Sequence, residues 1–276
     1  MMDWSSQNDP RGRKIELHRP EGFEGMRRAG DLAARTLDFI EPHVRAGVST
    51  LELDSLCDQF MRDHGAVAAT IGYKGYRHAS CISVNHVATH GIPSADKILK
   101  PGDILNIDVT PLLDGWHGDT SRMFTVGEAP VRARRLIRAT HEAMWNAIKL
   151  VRPGATVGDL GHAMETTARA YGFTTVKVFC GHGVGRVFHA APDILFFGRP
   201  GEGVVLEPGM FFTIEPMVNA GRAEVTILPD GWTTVTKDRA PSAQFEHSMG
   251  VTEDGVEVFT LGGDRPPADA PYKGSS

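Results

Sequence analysis

Cysteine is scarce. Three in 276 residues, Cys57, Cys81 and Cys180, with no C-x-x-C pair, exclude a disulfide framework and a structural zinc knuckle. No apolar run reaches the roughly 18 residues that a membrane-spanning helix needs, and the opening MMDWSSQNDPRGRK lacks the apolar core of a secretory signal. Positive charge is not in excess either: 29 Lys and Arg stand against 34 Asp and Glu, a net charge of -5. That balance excludes the basic face by which nucleic-acid binders are known. The one basic run, Arg132, Arg134, Arg135 and Arg138, falls on a helical pattern and reads as a solvated face. These absences leave a cytoplasmic chain without membrane or nucleic-acid partners as the expectation. Residues 1–19 and 263–276, polar and rich in proline or glycine, read as mobile tails around a single folded unit over 20–262.

What is present begins with 104-ILNIDVTPLLDGWHGDTSRMF-124. Asp114-Gly115 predicts a tight hairpin turn, and the segments on either side predict strands. Such a turn brings Asp108 and Asp119, eleven residues apart, together in the middle of a sheet. Two carboxylates in an apolar setting repel each other and lose hydration, so something must compensate.

The same arrangement occurs twice. Segment 44-VRAGVSTLEL-53 matches 151-VRPGATVGDL-160, and 100-KPGDILNID-108 matches 207-EPGMFFTIE-215, both at an offset of 107. The first pair carries two capping boxes, Ser49 with Glu52 and Thr156 with Asp159. The second pairs Asp108 with Glu215. Cys81, His90 and Pro93 match Cys180, His189 and Pro192 at an offset of 99, and 119-DTSRMFTVGE-128 resembles 246-EHSMGVTEDG-255, which pairs Asp119 with Glu246. Apolar stripes at helical spacing open both halves: Met26, Ala29, Ala33, Leu37, Ile40 and Val44 over about 21–44, and Leu136, Ile137, Thr140, Met144, Ala147, Ile148 and Val151 over about 131–151. The expectation is an α+β fold of two duplicated halves, about 20–130 and 131–260. Helices cover a central antiparallel sheet, and matching residues converge near a pseudo-twofold axis.

Convergence supplies the compensation. Asp108, Asp119, Glu215 and Glu246, joined by His182 from the glycine-rich turn 180-CGHGVGR-186, form a donor set for two divalent cations, with Mn, Fe, Co or Zn suited to it. A lone strand-end aspartate is ordinarily a turn residue; the duplication is what lifts these acids above that reading. Glu215 lies within the apolar run 210-MFFTIEPMV-218, where the bland alternative is a buried salt bridge. His90 and His189, one per half, are left as hydrogen-bond donors to a substrate and a developing oxyanion.

With these residues in view, the chain resembles the type I methionine aminopeptidases of the pita-bread fold. The matching segments are 84-VNHVATHGIP-93, 106-NIDVT-110, 117-HGDTSRMF-124, 181-GHGVGRVFH-189, 207-EPGMFFTIEPM-217 and 244-QFEHS-248, within about 20–262. The resemblance implies that Asp119 and Glu246 bridge two ions, that Asp108 binds one of them, and that His182 and Glu215 bind the other. It implies that His90 lies near the scissile amide nitrogen, that His189 contacts the substrate carbonyl, and that Glu215 accepts the proton of the attacking water. It also implies a methionine pocket built from Tyr73, Tyr76, Cys81, Phe188 and Trp232, a preference for a small second residue, and nascent polypeptides near the ribosome as substrates; a monomer is the default expectation. Thr70, where relatives often carry cysteine, and His86, where an acid is common, depart from the pattern. The 26 residues between His189 and Glu215 leave no room for the helical insertion of the type II branch, and no cysteine-rich zinc module precedes the domain. The alternatives are an Xaa-Pro aminopeptidase or prolidase, disfavoured because those carry a large additional N-terminal domain, and a non-catalytic binding protein, disfavoured because all five ligand positions are filled.

Overall fold

The structure, a computed structural model, describes residues 7–264. Helix α1 (Pro20–Ile40) starts with proline in its first turn, where the missing N–H is not needed. It buries Met26, Ala29, Ala33, Leu37 and Ile40 along one stripe. It ends four residues short of Val44. Pro42 cannot continue the ladder, and the chain tightens into a 3₁₀ turn, Glu41–His43. Helix α2 (Thr50–Asp63) follows, and helices α3 (Val131–Ile148) and α4 (Val157–Ala170) repeat the pair.

Beneath α1 and α2 lie three antiparallel strands in the order Ser80–Val84, Ile104–Val109, Thr120–Thr125. Beneath α3 and α4 the corresponding strands Cys180–Gly183, Phe211–Ile214 and His247–Val251 take the same order, with Ala190–Leu195 and Val256–Val258 added at the edges. Asp114 and Gly115 both adopt left-handed φ, 51° and 78°, as the hairpin turn requires. The two sheets join where Ser121 and Glu246 exchange backbone hydrogen bonds of 3.4 and 3.0 Å. The duplication extends to isolated bridges: Ser49 pairs with Ile98 and Thr156 with Val205, each partner displaced by 107 positions. Separate cores sit under the helix pairs. One holds Leu37, Leu53, Ile82 and Ile107, the other Leu136, Leu160, Phe212 and Met249. Burying each such side chain contributes about 1.5–3 kcal/mol. Among the described residues no helix is long and apolar enough to cross a membrane.

Three expectations are corrected. Residues 7–19 are not a mobile tail. Ile15 is 1% exposed in the second core, Asp9 is buried and accepts from the backbone and guanidinium of Arg13, and His18 stacks on Phe211 at 4.2 Å. The polar composition concealed one apolar anchor and one flat ring. The other tail does not begin at 263: the Gly263 N–H donates to the Asp38 carboxylate, and Asp264 meets His141 and His247. Residues 1–6 and 265–276 lie outside the described residues. Finally, only the second capping box closes in both directions; Ser49 accepts from the Glu52 N–H at 3.1 Å without the reciprocal bond.

Candidate metal centre

Ladder register sets the floor of the site. Asp108 sits on the middle strand of the first sheet, opposite Cys81 on one side and Ser121 on the other. Asp119 stands just before the third strand. In the second sheet Glu215 follows Phe211–Ile214 and Glu246 precedes His247–Val251. All four acids and His182 line one cavity of about 310 Å³. His182 Nε2 lies 3.5 Å from Asp119 Oδ2 and 3.5 Å from Glu215 Oε1. Asp119, His182 and Glu246 offer ligand atoms within 4.8 Å of one another.

An inventory of partners decides what these acids are for. Thr110 Oγ1 donates to Asp119 at 2.7 Å; Thr213 Oγ1 and Gln244 Nε2 donate to the two oxygens of Glu215 at 2.8 and 3.1 Å. Among the described residues no lysine or arginine pairs with any of the four. The imidazole gives no relief. His182 Nδ1 is turned to the Gly183 carbonyl at 3.0 Å, so an Nδ1–H donates there and the Nε2 lone pair faces two carboxylates. Burial, then mutual repulsion, drives the carboxyls toward their neutral forms. Asp119 rises to about 7, chiefly by burial. Asp108, Glu215 and Glu246 rise well above the ordinary range, by burial first and the charge of Asp119 next. Burial lowers His182 to about 4. Four carboxylates, three of them buried and Asp108 half-buried, and one aimed lone pair, without a protein cation among the described residues, fit divalent metal ions.

Two further histidines overlook this floor. His90 occupies a left-handed turn, φ 53°, an unusual conformation for a residue with a Cβ. Its ring meets Trp232 and Phe179 edge-on, at 6.0 and 5.7 Å. His189 lies 4.1 Å from the His182 ring and stacks on Tyr73 at 5.0 Å. Burial lowers them to about 4 and about 3, leaving both neutral near pH 7 with one N–H each.

The walls are aromatic. Tyr76 donates to the Ser80 carbonyl at 2.8 Å and packs edge-on to Trp232 at 4.9 Å; Tyr73 and Phe188 meet at 5.0 Å; Cys81 is 7% exposed beside Asp108. All five lie on the same cavity. Trp232 serves two purposes, since the 230-DGW-232 turn is closed by N–H bonds to Asp230 while its ring faces the cavity. Sequence reasoning missed the residues that hold the acids, Thr110, Thr213 and Gln244. It also missed Phe179, Lys74 and Met217 on the walls. The first three did carry a signal, since each lies two positions from a candidate acid: Thr110 after Asp108, Thr213 before Glu215 and Gln244 before Glu246. Thr70 lines the cavity while its hydroxyl closes a loop onto the His78 carbonyl at 2.7 Å. His86 lies outside the cavity lining and accepts from the Arg239 guanidinium at 2.7 Å, which gives a neutral imidazole a purpose there.

Residues 24–253 match metallopeptidase family M24. A methionine aminopeptidase of Rickettsia prowazekii is 53% identical over 249 residues, spanning 90% of this chain and 95% of that protein. One from Escherichia coli (strain K12) is 50% identical over 248 residues, 90% and 94% of the two chains. Crystal structures of the Rickettsia prowazekii and Thermotoga maritima methionine aminopeptidases superpose with a TM-score of 0.88 each, at 52% and 38% identity, over 90% and 89% of this chain and 100% and 99% of theirs. An Xaa-Pro dipeptidase of Bacillus anthracis shares the fold, with a TM-score of 0.71 at 23% identity over 88% of this chain but 61% of its own.

Proposed function

The chain belongs to metallopeptidase family M24, and from that premise we propose that it hydrolyses the first peptide bond of polypeptides that begin with methionine. The observation that carries this reading is the floor of four carboxylates, three of them buried and Asp108 half-buried, with no protein cation among the described residues, overlooked by two neutral histidines and walled by aromatics. Relatives at about half identity over nearly the whole chain, named methionine aminopeptidases, support it over the proline-specific branch.

Asp108, Asp119, His182, Glu215 and Glu246 would hold two divalent ions. When bound, such ions supply Lewis acidity and a water acidified to near neutrality. The protein does the rest. Glu215, aimed by Thr213 and Gln244, takes the proton of the attacking water. His189 donates to the substrate carbonyl as it gains negative charge, and His90 donates toward the departing amide. The methionine side chain lies among Tyr73, Tyr76, Cys81, Phe188 and Trp232, where a thioether meets polarisable ring faces and bulk water is kept from the reacting bond. Holding a chain by its very end explains why one residue is released and hydrolysis stops. A bulky second residue meets the wall near His90. The physiological setting we assign is the cytoplasm, on nascent chains close to the ribosome, by a monomer.

The test is a peptide panel with metal-stripped enzyme re-supplied separately with Mn, Co, Fe or Zn. Metal-dependent release of methionine from Met-Ala-Ser, with Met-Trp-Ser and Leu-Ala-Ser left whole, is the expected result. Cleavage of Ala-Pro-Ser instead moves the chain to the proline-specific branch. Metal binding without any cleavage makes it a binding protein.

A further inference from the structure

One wall residue has no place in that mechanism. Lys74 lies on the cavity at its exposed mouth, within the tight 3₁₀ turn Tyr73–Gly75. Gly72, Lys74 and Gly75 all take left-handed φ, 86°, 46° and 86°, and the loop is closed by Gly72 N–H to the Tyr76 carbonyl at 2.7 Å and Tyr76 N–H to the Tyr73 carbonyl at 2.9 Å. The backbone is therefore fixed, and the lysine is held in a conformation that its neighbours meet with glycine.

No carboxylate answers its charge. Among the described residues its one recorded contact is with the Tyr73 ring, whose centre lies 5.2 Å from Nζ. The acids on the same cavity, Asp108, Asp119, Glu215 and Glu246, form the floor, where they would hold the metal ions. Tyr73 in turn stacks on His189. Lys74 is thus one residue from the ring that backs the His189 imidazole, the group assigned to the scissile carbonyl.

A peptide cut after its first residue must leave through this mouth. The second side chain is confined to a small one, so the third is the first with room to carry charge. An extended chain places it roughly 7 Å beyond the first residue, two steps of about 3.3–3.6 Å. We infer that Lys74 is a specificity-determining residue that favours substrates with an acidic third residue and disfavours those with a basic one. The inference rests on the aminopeptidase reading.

The test is a competition in one tube among Met-Ala-Glu-Ser-amide, Met-Ala-Gln-Ser-amide and Met-Ala-Lys-Ser-amide. Amidation removes the terminal carboxylate that the lysine would otherwise attract. The readout is the ratio of kcat/KM values, which does not depend on how much enzyme is active. The acidic peptide is expected to lead the basic one by about fivefold at low salt, the scale of solvent-facing charge pairs, and the lead should shrink toward one near 1 M salt. Lys74→Gln should bring the ratio close to one and Lys74→Glu should invert it. Equal rates in the wild type, or a ratio that neither variant moves, overturn the inference. Turnover of the glutamine peptide checks the activity itself: if none of the three is cut with any metal, the aminopeptidase reading fails and this inference falls with it.

Discussion

Two of the places where the molecule takes carboxylates out of solvent treat them in opposite ways. Asp264, 13% exposed at its side chain, lies against two imidazoles, His141 Nε2 at 3.0 Å and His247 Nε2 at 2.9 Å, while His247 Nδ1 meets the Thr260 hydroxyl. Burial alone would push its carboxyl up, but the hydrogen bonds from His141 and His247 outweigh it and hold the group well below the ordinary range. Among the described residues the four-acid floor receives two threonine hydroxyls, one amide and no protein cation, and its carboxyls are all raised. A buried acid is therefore uninformative until its partners are counted. Asp264 is satisfied from within and ties α3 to the strand that begins at His247, next to Glu246. The floor has no such internal partner among the described residues, and its donor set fits ions from outside.

The sharpest way to break this contrast is to remove a floor acid. Asp108→Ala or Glu246→Ala should cut turnover at least a hundredfold, since loss of a residue that merely orients a metal ligand already costs about 10–100-fold. Bound metal, measured by elemental analysis, should fall in parallel, while the metal-free protein melts no lower because one repelling carboxyl has gone. Full activity of either variant under stringent metal control would remove it from the ligand set. His90→Ala separates donor from ligand: turnover should drop by about 10²–10³ with metal content intact, and a loss of metal would place His90 among the ligands.

Next in size is the opposite response to pH in metal-free protein. Asp119 has a folded pKa of about 7, above the roughly 3.9 of an unfolded aspartate. The folded chain then binds the extra proton, so stability contributed by the neutral floor is full below about pH 4 and is lost as pH rises toward about 7. Asp264, with its folded pKa depressed, contributes stability that is full above the unfolded value and is lost as pH falls through the folded one. Asp264→Asn should accordingly cost about 1.5–3 kcal/mol at pH 6, the worth of hydrogen bonds to a charged group, and less as the pH is lowered. Glu246→Gln should instead flatten the decline on the neutral side. Urea melts across pH 3–8 decide it: equal slopes in both variants would mean that the two sites do not differ as argued.

Sequence alone exposed the floor but not Asp264, and the reason is physical. Asp108, Glu215, Asp119 and Glu246 recur at matching places in two halves, so an improbable feature appears twice. His182 has no such echo, because the position 99 residues earlier is Ser83, whose hydroxyl accepts from the Gly91 N–H; it was found through its glycine neighbours. Asp264 sits beside glycines in a stretch of tail-like composition, and its partners are 123 and 17 residues away. Ile15 was lost in the same manner, one of the few apolar residues in a polar run. That Thr213 and Gln244 both donate to Glu215 became visible only with the register that turns them there. Pairwise side-chain geometry of this kind has no periodic signature.

The smallest expected effect compares the two halves directly, at the helix starts that sequence made look alike. In α4 the Thr156 hydroxyl accepts from Asp159 N–H at 3.2 Å, and the Asp159 carboxylate accepts from Thr156 N–H at 2.8 Å and from Gly201 N–H at 2.9 Å. In α2 Ser49 supplies one bond without a return. Replacing an N-cap residue by alanine costs about 0.5–2 kcal/mol, so Thr156→Ala should lie near the upper end and Ser49→Ala near the lower. The backbone bond from Thr156, the largest cause, holds the Asp159 carboxyl below its ordinary range. Its contribution is therefore full above the unfolded pKa and fades as pH falls through the folded one. The gap between the two variants should narrow in acid, when the box opens in the wild type as well. Equal costs at pH 7, read from thermal melts of the metal-loaded protein, would mean that the shorter aspartate closes the box in geometry without adding to stability.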